Sequence, residues 1–259
     1  MYTILEKIIV QTRRHVEICK FQIPESQLRK KALTSCERAS FRDALTVPGI
    51  SIIAEIKRAS PSKGIICESF DPVRIAGSYV RGGAAAVSVL TDEAFFQGDI
   101  ACLDQVADQI QLPLLRKDFI IDRYQIYEAK CHSAGAVLLL AGVLDTPQLA
   151  EFLKLTHELR MHALVEVHDD AELDKAVEAG ADIIGINNRD LRTFTVDLQQ
   201  SLRLADCLPD WVVRVSESGI QSRKDIELLE QAGFHACLIG ESLMRHPDPA
   251  QHLKELRGA

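Results

Sequence analysis

Four stretches of the chain repeat one grammar: RGGAAAVSVL at 81–90, SAGAVLLLA at 133–141, EAGADIIGIN at 178–187 and QAGFHACLIG at 231–240. In each, a helical pattern ends at a small residue and a glycine, and an apolar β-type run follows within a few residues. Glycine suits the left-handed position just past a helix C-terminus, so each stretch reads as the helix-to-strand half of a βαβ unit. Filling the gaps predicts eight strands: Ser51–Lys57, Ala84–Thr91, Pro113–Phe119, Ala136–Ala141, His162–Val167, Ile183–Asn188, Trp211–Ser218 and Ala236–Glu241. Amphipathic helical patterns lie between them. Several carry start signals: Asp71-Pro72, Thr146-Pro147, and Ser222 with Asp225 at the capping-box spacing. A last helix, Asp248–Arg257, follows strand eight.

Eight strand–helix units in 259 residues predict an α/β chain folded as a (β/α)8 TIM barrel, a fold of about 250 residues. A doubly wound sheet is the rival, but it rarely needs eight evenly spaced units. No GxGxxG follows the first strand, so its dinucleotide-binding version lacks the fingerprint. Residues 1–48 precede the barrel, and Leu5, Ile8, Ile9, Thr12 and Val16 form a mostly apolar helical stripe. This N-terminal helical extension is expected to pack on the barrel, residues 49–259, as an extra helix. No linker-like stretch divides the two, which predicts one domain.

Composition narrows the partners. A formal net charge of −7 argues against a nucleic-acid binder, because such domains usually carry a basic face. The seven cysteines are odd in number and form no C-x-x-C pair, which fits a reducing compartment rather than a disulfide framework. The longest apolar run, GAVLLLAGVL at 135–144, is half the ~20 residues a membrane-spanning helix needs. The start, MYTILEKIIVQTRR, lacks a secretory signal. A cytoplasmic protein without membrane partners is expected.

The strand ends carry the chemistry. Catalytic groups of such a barrel sit at the C-terminal ends of its strands, and residues two apart on a strand share a face. Strand one, in IIAEIKRASPSKG, ends with Glu55 and Lys57 on one face. Strand three carries Lys117, strand five Glu166, strand six Asn187 and strand seven Glu217. Leu115, Leu164, Gly185 and Val215 lie two residues before the last four and share their faces. If that face is the interior, five strands aim charged or amide groups into one mouth. Unpaired buried charge is expensive, so three glutamates and two lysines that nearly balance read as an acid–base site. Surface salt bridges around the rim are the bland reading; matching parity on five strands favours the site.

SESGI (216–220) and LIGES (238–242) end strands seven and eight, where barrels often hold a phosphate. Gly219, Gly240 and the amides of Ser218 and Glu241 are candidate contacts. A lone glycine there is equally a turn; the pair is the signal. The loop KRASPSKG offers Lys57, Ser60 and Lys63 as anion contacts, or is a solvated basic loop. HELRMH (157–162) spaces its histidines i and i+5, not the i and i+4 of a zinc helix. His162 and His168 would stand roughly 20 Å apart along a strand, too far to share a metal. The histidines are read as surface or cap residues. Arg116 and Asp118 flank Lys117 with the opposite parity and are expected to orient the strand end.

IIAEIKRASPSKG, FDPVRIAGSYVRGGAAAVSVLTDEAFFQG, LLRKDFIID, ALVEVHD, GINNRDL, VSESGI and LIGESLM, in this order, resemble the indole-3-glycerol-phosphate synthase family. The resemblance covers nearly the whole barrel; only AGVLD at 141–145 is loosely alike. It implies a lyase of tryptophan biosynthesis that closes a pyrrole ring on 1-(2-carboxyphenylamino)-1-deoxyribulose 5-phosphate, losing carbon dioxide and water. It implies no cofactor and no metal, a phosphorylated small molecule as partner, a monomer, and a monofunctional chain. Residue by residue, it makes Lys117 the general acid of ring closure and Glu166 the carboxylate of dehydration. Glu55 and Lys57 become a pair beside the substrate, and Asn187 an orienting amide with Arg189 close by. Glu217 and Ser218 fall near the ribulose hydroxyls, and Ser60, Gly219, Gly240 and Glu241 on the phosphate. Phe95 and Phe119 are expected to wall the anthranilate ring. Two other readings stay open: a sugar-phosphate isomerase or epimerase, and a non-catalytic barrel that binds a phosphorylated metabolite.

Overall fold

The computed structural model describes residues 3–190 and 193–258. Eight parallel strands close into a barrel: β1 (Ser51–Ile56), β2 (Ala86–Leu90), β3 (Leu114–Lys117), β4 (Ala136–Leu140), β5 (His162–Val167), β6 (Ile183–Asn187), β7 (Val213–Glu217) and β8 (Ala236–Ile239). β8 closes the circle on β1, with Ser51 opposite Ala236 and Ala54 opposite Ile239. Strands covered on both faces read as near-continuous apolar runs, which is why AVSVL, AVLLL and IIGIN carry little alternation.

Side-chain parity divides these strands into two cores. Ile53, Ala86, Leu115, Leu138, Leu164, Ile183, Val215 and Leu238 fill the barrel interior. Ile52, Ala54, Val87, Leu139, Val165 and Ile184 face outward into the larger core under the helices. Each such side chain contributes about 1.5–3 kcal/mol when fully buried.

The helix starts follow the sequence signals. Asp71 caps the helix Pro72–Gly82 by accepting from Arg74 N at 3.0 Å. Ser222 and Asp225 form the full capping box of the helix Arg223–Gln231. At Thr146–Glu158 the cap is Asp145, one residue before the Thr-Pro signal. Of the repeated glycines, Gly83, Gly180 and Gly233 take the left-handed conformation. In SAGAV the left-handed residue is Ser133, and Gly135 instead packs on Arg38.

The observed strands are mostly shorter than the apolar runs suggest. Lys57 lies just past β1, and β3 stops at Lys117. Trp211 is half-exposed in a turn where Val212 N donates to Pro209 O at 3.2 Å. β8 ends at Ile239, and Glu241 opens a short helix, Glu241–Arg245, rather than closing the strand. The loop after β1 folds into a small antiparallel hairpin, Ala59–Ser60 against Gly64–Ile65.

Residues before the barrel form three helices rather than one: α1 (Ile4–Gln22), α2 (Glu25–Thr34) and α3 (Phe41–Leu45). On α1 the stripe Ile8, Thr12 and Val16 is buried, with Leu5 and Ile9 half-buried. Its far end is tied down by Lys20 Nζ to Asp122 Oδ2 at 2.7 Å and by Tyr124 OH donating to Cys19 O at 3.1 Å. α3 is a stopper. Phe41 and Leu45 insert into the interior cluster at the N-terminal end of the barrel. There Ser51 Oγ donates to Ala44 O at 3.0 Å, and Ser40 Oγ lies 3.2 Å from His162 Nε2. No helix among the described residues is long and apolar enough to cross a membrane.

Candidate active site

At the C-terminal end of the strands lies a cavity of about 770 Å³. Glu55, Lys57, Ser60, Lys117, Phe119, Glu166, Asn187, Arg189, Glu217, Ser218, Gly219, Gly240 and Glu241 all line it. The shared parity of the strand ends therefore does face the barrel mouth. Of the catalytic, substrate- and phosphate-binding residues expected from sequence, Phe95 alone does not line the cavity. Phe96 does, with its ring centroid 6.0 Å from that of Phe119. Both phenylalanines sit on the helix Glu93–Phe96, whose N-cap Asp92 accepts from the Phe95 and Phe96 amides. Neighbouring side chains on a helix point about 100° apart, so only one of them can face the ring of Phe119.

The charges form two linked groups. Lys117 Nζ lies 2.9 Å from Glu166 Oε2 and 3.2 Å from Glu217 Oε2. Lys57 pairs with Glu55 two residues earlier on the same face. Asn187 Nδ2 donates to Glu166 Oε1 at 3.1 Å, and Asn187 Oδ1 accepts from Arg189 N at 3.0 Å. Two glycines make room for this. A Cβ on Gly240 would overlap Oε2 of Glu55, and one on Gly185 would overlap Oε1 of Glu217.

Burial and charge compete at each group. Burial disfavours the Lys117 ammonium, but the carboxylates of Glu166, Glu217 and Glu55 outweigh it and raise its pKa. Burial pushes Glu166 up, yet Lys117, with His168 and Asn187 assisting, holds it well below the usual carboxylate range. Glu217 goes the other way. Burial, reinforced by the charges of Glu166 and Glu55 and only partly offset by Lys117, raises it to about 7. Two carboxyls against one ammonium therefore separate into a strong acid and a weak one, the division that acid–base chemistry needs.

The loops after β7 and β8 build the opposite wall. Ser218 and Gly219 both adopt left-handed backbone, at φ 68° and 80°. This turn is held by Asn188, whose Nδ2 donates to Ser216 Oγ and Ser218 O, both at 3.0 Å, while its Oδ1 accepts from Ser201 N at 2.9 Å. The first amides of the helix Glu241–Arg245 have no partners within that helix. The Glu241 carboxylate, which would repel an anion, lies between Arg245 at 3.1 Å and Arg189 at 3.8 Å.

Arg116 and Asp118 do orient the strand end. The buried guanidinium pairs with Asp118 and Glu128, both at 2.9 Å, and donates to Gln125 O and Thr91 Oγ1. The sequence reading missed Ile4, Leu5 and Ile8, which carry α1 over the mouth, and Phe194, Val196 and Arg245 on the wall. It also set aside His168, whose Nε2 lies 3.5 Å from Glu166 Oε1. His168 has the parity of Glu166, so the signal was present.

A sequence profile described as "Indole-3-glycerol phosphate synthase" matches residues 5–256. The indole-3-glycerol phosphate synthase of Carboxydothermus hydrogenoformans is 48% identical over 260 residues, covering 97% of this chain and 98% of that protein. The one of Roseiflexus sp. is 45% identical over 267 residues, covering 100% and 99%. Among solved structures, 3-hexulose-6-phosphate synthase from Salmonella typhimurium superposes with a TM-score of 0.67 at 13% identity, over 81% of this chain and 97% of that one. Thiamine phosphate pyrophosphorylase from Pyrococcus furiosus does so with a TM-score of 0.61 at 14% identity, over 81% and 94%. At such identities these two speak for the barrel and for nothing finer.

Proposed function

The chain belongs to the indole-3-glycerol phosphate synthase family, and from that membership we propose how its cavity divides the work. The activity is that of a decarboxylating lyase acting on a phosphorylated small molecule. In ring closure, the aromatic carbon that bears the carboxylate attacks the C2 carbonyl. Negative charge develops on the carbonyl oxygen, and Lys117 supplies its proton. An alkoxide is a far stronger base than a carboxylate, so an ammonium stabilised by Glu166 and Glu217 still protonates it. Carbon dioxide then leaves, its bond electrons returning to the ring.

Dehydration needs an acid at the departing hydroxyl and a base at the neighbouring carbon. Glu166, held ionised, takes the carbon-bound proton. Glu217, which holds a proton into the neutral range, and Lys57 are the groups within reach of the hydroxyl. Glu55 keeps Lys57 in place, and Lys57 also pairs with the substrate carboxylate before it is lost. Asn187 and Arg189 orient the chain of the substrate. The amides of Gly219, Gly240 and Glu241, with Ser218 and Ser60, receive the phosphate. Phe96 and Phe119 wall the aromatic ring.

The single observation that supports this division is the bridge of Lys117 Nζ between Glu166 and Glu217. Its test is to mix purified protein with 1-(2-carboxyphenylamino)-1-deoxyribulose 5-phosphate and follow indole fluorescence and carbon dioxide, then repeat with Lys117→Ala. Full turnover by the variant removes Lys117 from its role.

The same proposal reads the chain as one domain, since Val16, Leu28 and Ala32 share the buried core of the barrel. It also reads the chain as a monomer of the cytoplasm. Light scattering on the purified protein tests the first of these two, and fractionation of cells the second.

A further inference from the structure

Glu172, His168 and Glu166 form a line from the rim of the barrel to the buried carboxylate that holds Lys117. His168 Nδ1 lies 3.1 Å from Glu172 Oε2, and His168 Nε2 lies 3.5 Å from Glu166 Oε1. The other oxygen of Glu166 meets Lys117 at 2.9 Å. The backbone of His168 is pinned on both sides: its N–H donates to Glu172 Oε2 at 2.8 Å, and its carbonyl accepts from the Gln200 amide. Glu172 is wedged in turn, because a Cβ on Gly142 would overlap its carboxylate. The His168 and Glu172 side chains remain 22% and 20% exposed, whereas that of Glu166 is 3% exposed. His168 Nε2 is buried, has no hydrogen-bond partner, and lies toward Glu166. An unpaired buried ring nitrogen is unfavourable, and a small rotation of the imidazole brings it onto Oε1.

The reaction consumes one proton per turnover. The carboxylate leaves as carbon dioxide, giving its bond pair to the ring. The carbonyl oxygen leaves as water, having gained two protons. The carbon beside nitrogen gives back only one. The other comes from solvent, at a time when substrate fills the mouth above Lys117.

We propose that His168, backed by Glu172, is a positioning and proton-relay residue through which this proton reaches Glu166 and then Lys117. The proposal rests on the roles given above to Lys117 and Glu166. After ring closure, Nε2–H passes its proton to the Glu166 carboxylate, and the neutral carboxyl hands that proton to the Lys117 amine, so Glu166 is ionised again before it takes the carbon-bound proton. That later proton goes from Glu166 to the group that protonated the departing hydroxyl, and His168 is recharged from solvent beside Glu172 at the rim. The ring is suited to this. Burial opposes its charge, but the hydrogen bond to Glu172 and the charges of Glu166, Glu172 and Glu217 outweigh burial and raise its pKa. These carboxylates come from β5, β7 and the helix Asp170–Glu178; the helix Gln199–Ala205 brings the neutral Gln200 to the His168 carbonyl, and its Arg203 pairs with Asp170 at 2.8 Å.

The test measures turnover and KM against pH for the full chain and for His168→Ala, His168→Gln, Glu172→Gln and Glu166→Gln, with thermal unfolding to check folding. His168→Ala is expected to lose about 10- to 100-fold in kcat, less than a general acid itself supplies at its upper range, with KM little changed. Added imidazole is expected to restore it. His168→Gln fills the space but has no group that gains and loses a proton near neutral pH, so it is expected to stay slow. In Glu172→Gln the alkaline fall of kcat moves to lower pH, by about one unit, because the ring loses a stabilising negative neighbour. Wild-type turnover by His168→Gln, or a His168→Ala enzyme that ignores imidazole and parallels the wild-type pH profile, overturns the relay. Normal turnover by Glu166→Gln overturns instead the role given to Glu166. Should His168→Ala not fold, His168→Gln and Glu172→Gln decide the matter.

Discussion

The backbone of Gly240 lies against the carboxylate of Glu55 so closely that a single added methyl group would overlap Oε2. Gly240→Ala is therefore expected to push Glu55 aside and loosen its pair with Lys57. Overpacking of this kind costs about 1–3 kcal/mol, a modest loss in urea unfolding. Turnover is expected to fall much further than stability does. An alanine variant with wild-type kcat and KM would show that Glu55 needs no fixed position.

Lys117→Met keeps the apolar stem and removes the charge. Turnover is expected to fall by about 10²–10⁴. In the wild type, Glu166 is depressed, so it adds stability above the unfolded carboxylate pKa, and this is lost as pH falls through the folded value. Without Lys117, burial dominates and the sign reverses. The stability gap between wild type and variant should narrow as pH drops from neutral toward the carboxylate range. A gap that stays constant with pH in denaturant titrations would refute the pairing.

Glu217 is the opposite case. Its folded pKa, about 7, lies above the ordinary 4.5, so its favourable state is the protonated one below 4.5, and stability is lost as pH rises through 7. Glu217→Gln mimics the protonated carboxyl. Relative to wild type, the variant should gain stability between pH 4.5 and 7 and then level off, by a few kcal/mol at most on the order of the linkage. Unfolding at several pH values reads this directly, and a difference that ignores pH contradicts it.

Phe96→Ala should raise KM for the aminodeoxyribulose phosphate several-fold, because Phe96 shares the wall with Phe119. Phe95→Ala should leave KM within about twofold, since Phe95 does not line the cavity. Equal effects of the two substitutions in steady-state kinetics would remove the distinction.

Asn188→Ala leaves Ser216, Ser218 and Ser201 without their shared partner. Ser216 Oγ keeps Ser201 Oγ at 2.7 Å, but Ser218 O and Ser201 N are left unsatisfied, at about 1–3 kcal/mol each, so a clear loss in melting temperature is expected. The freed Ser218–Gly219 turn should raise KM more than it lowers kcat. Binding of inorganic phosphate by calorimetry, weakened in the variant, checks the link; unchanged binding breaks it.

The barrel and the charged mouth were legible because a strand has a period of two and a closed barrel gives that period one inside. Leu115 fixes the side of Lys117, and Leu164 that of Glu166, by spacing alone. Phe96 was not legible, because choosing between adjacent residues on a four-residue helix requires the helix's rotation. The reach of Ile4, Leu5 and Ile8 over the mouth depends on where α1 docks, and that is set by contacts over a hundred residues away, such as Lys20 with Asp122. His168 was legible by parity and was set aside because only metal binding was asked of it.

Phe41 and Leu45 stopper the end of the barrel away from the chemistry. Among the described residues, traffic therefore runs through the other end. Gas, water and the finished indole leave by the opening through which the substrate came, under α1 and past the hairpin at 59–65. The shut floor takes no part in that passage, so its apolar side chains are free to be altered for durability alone.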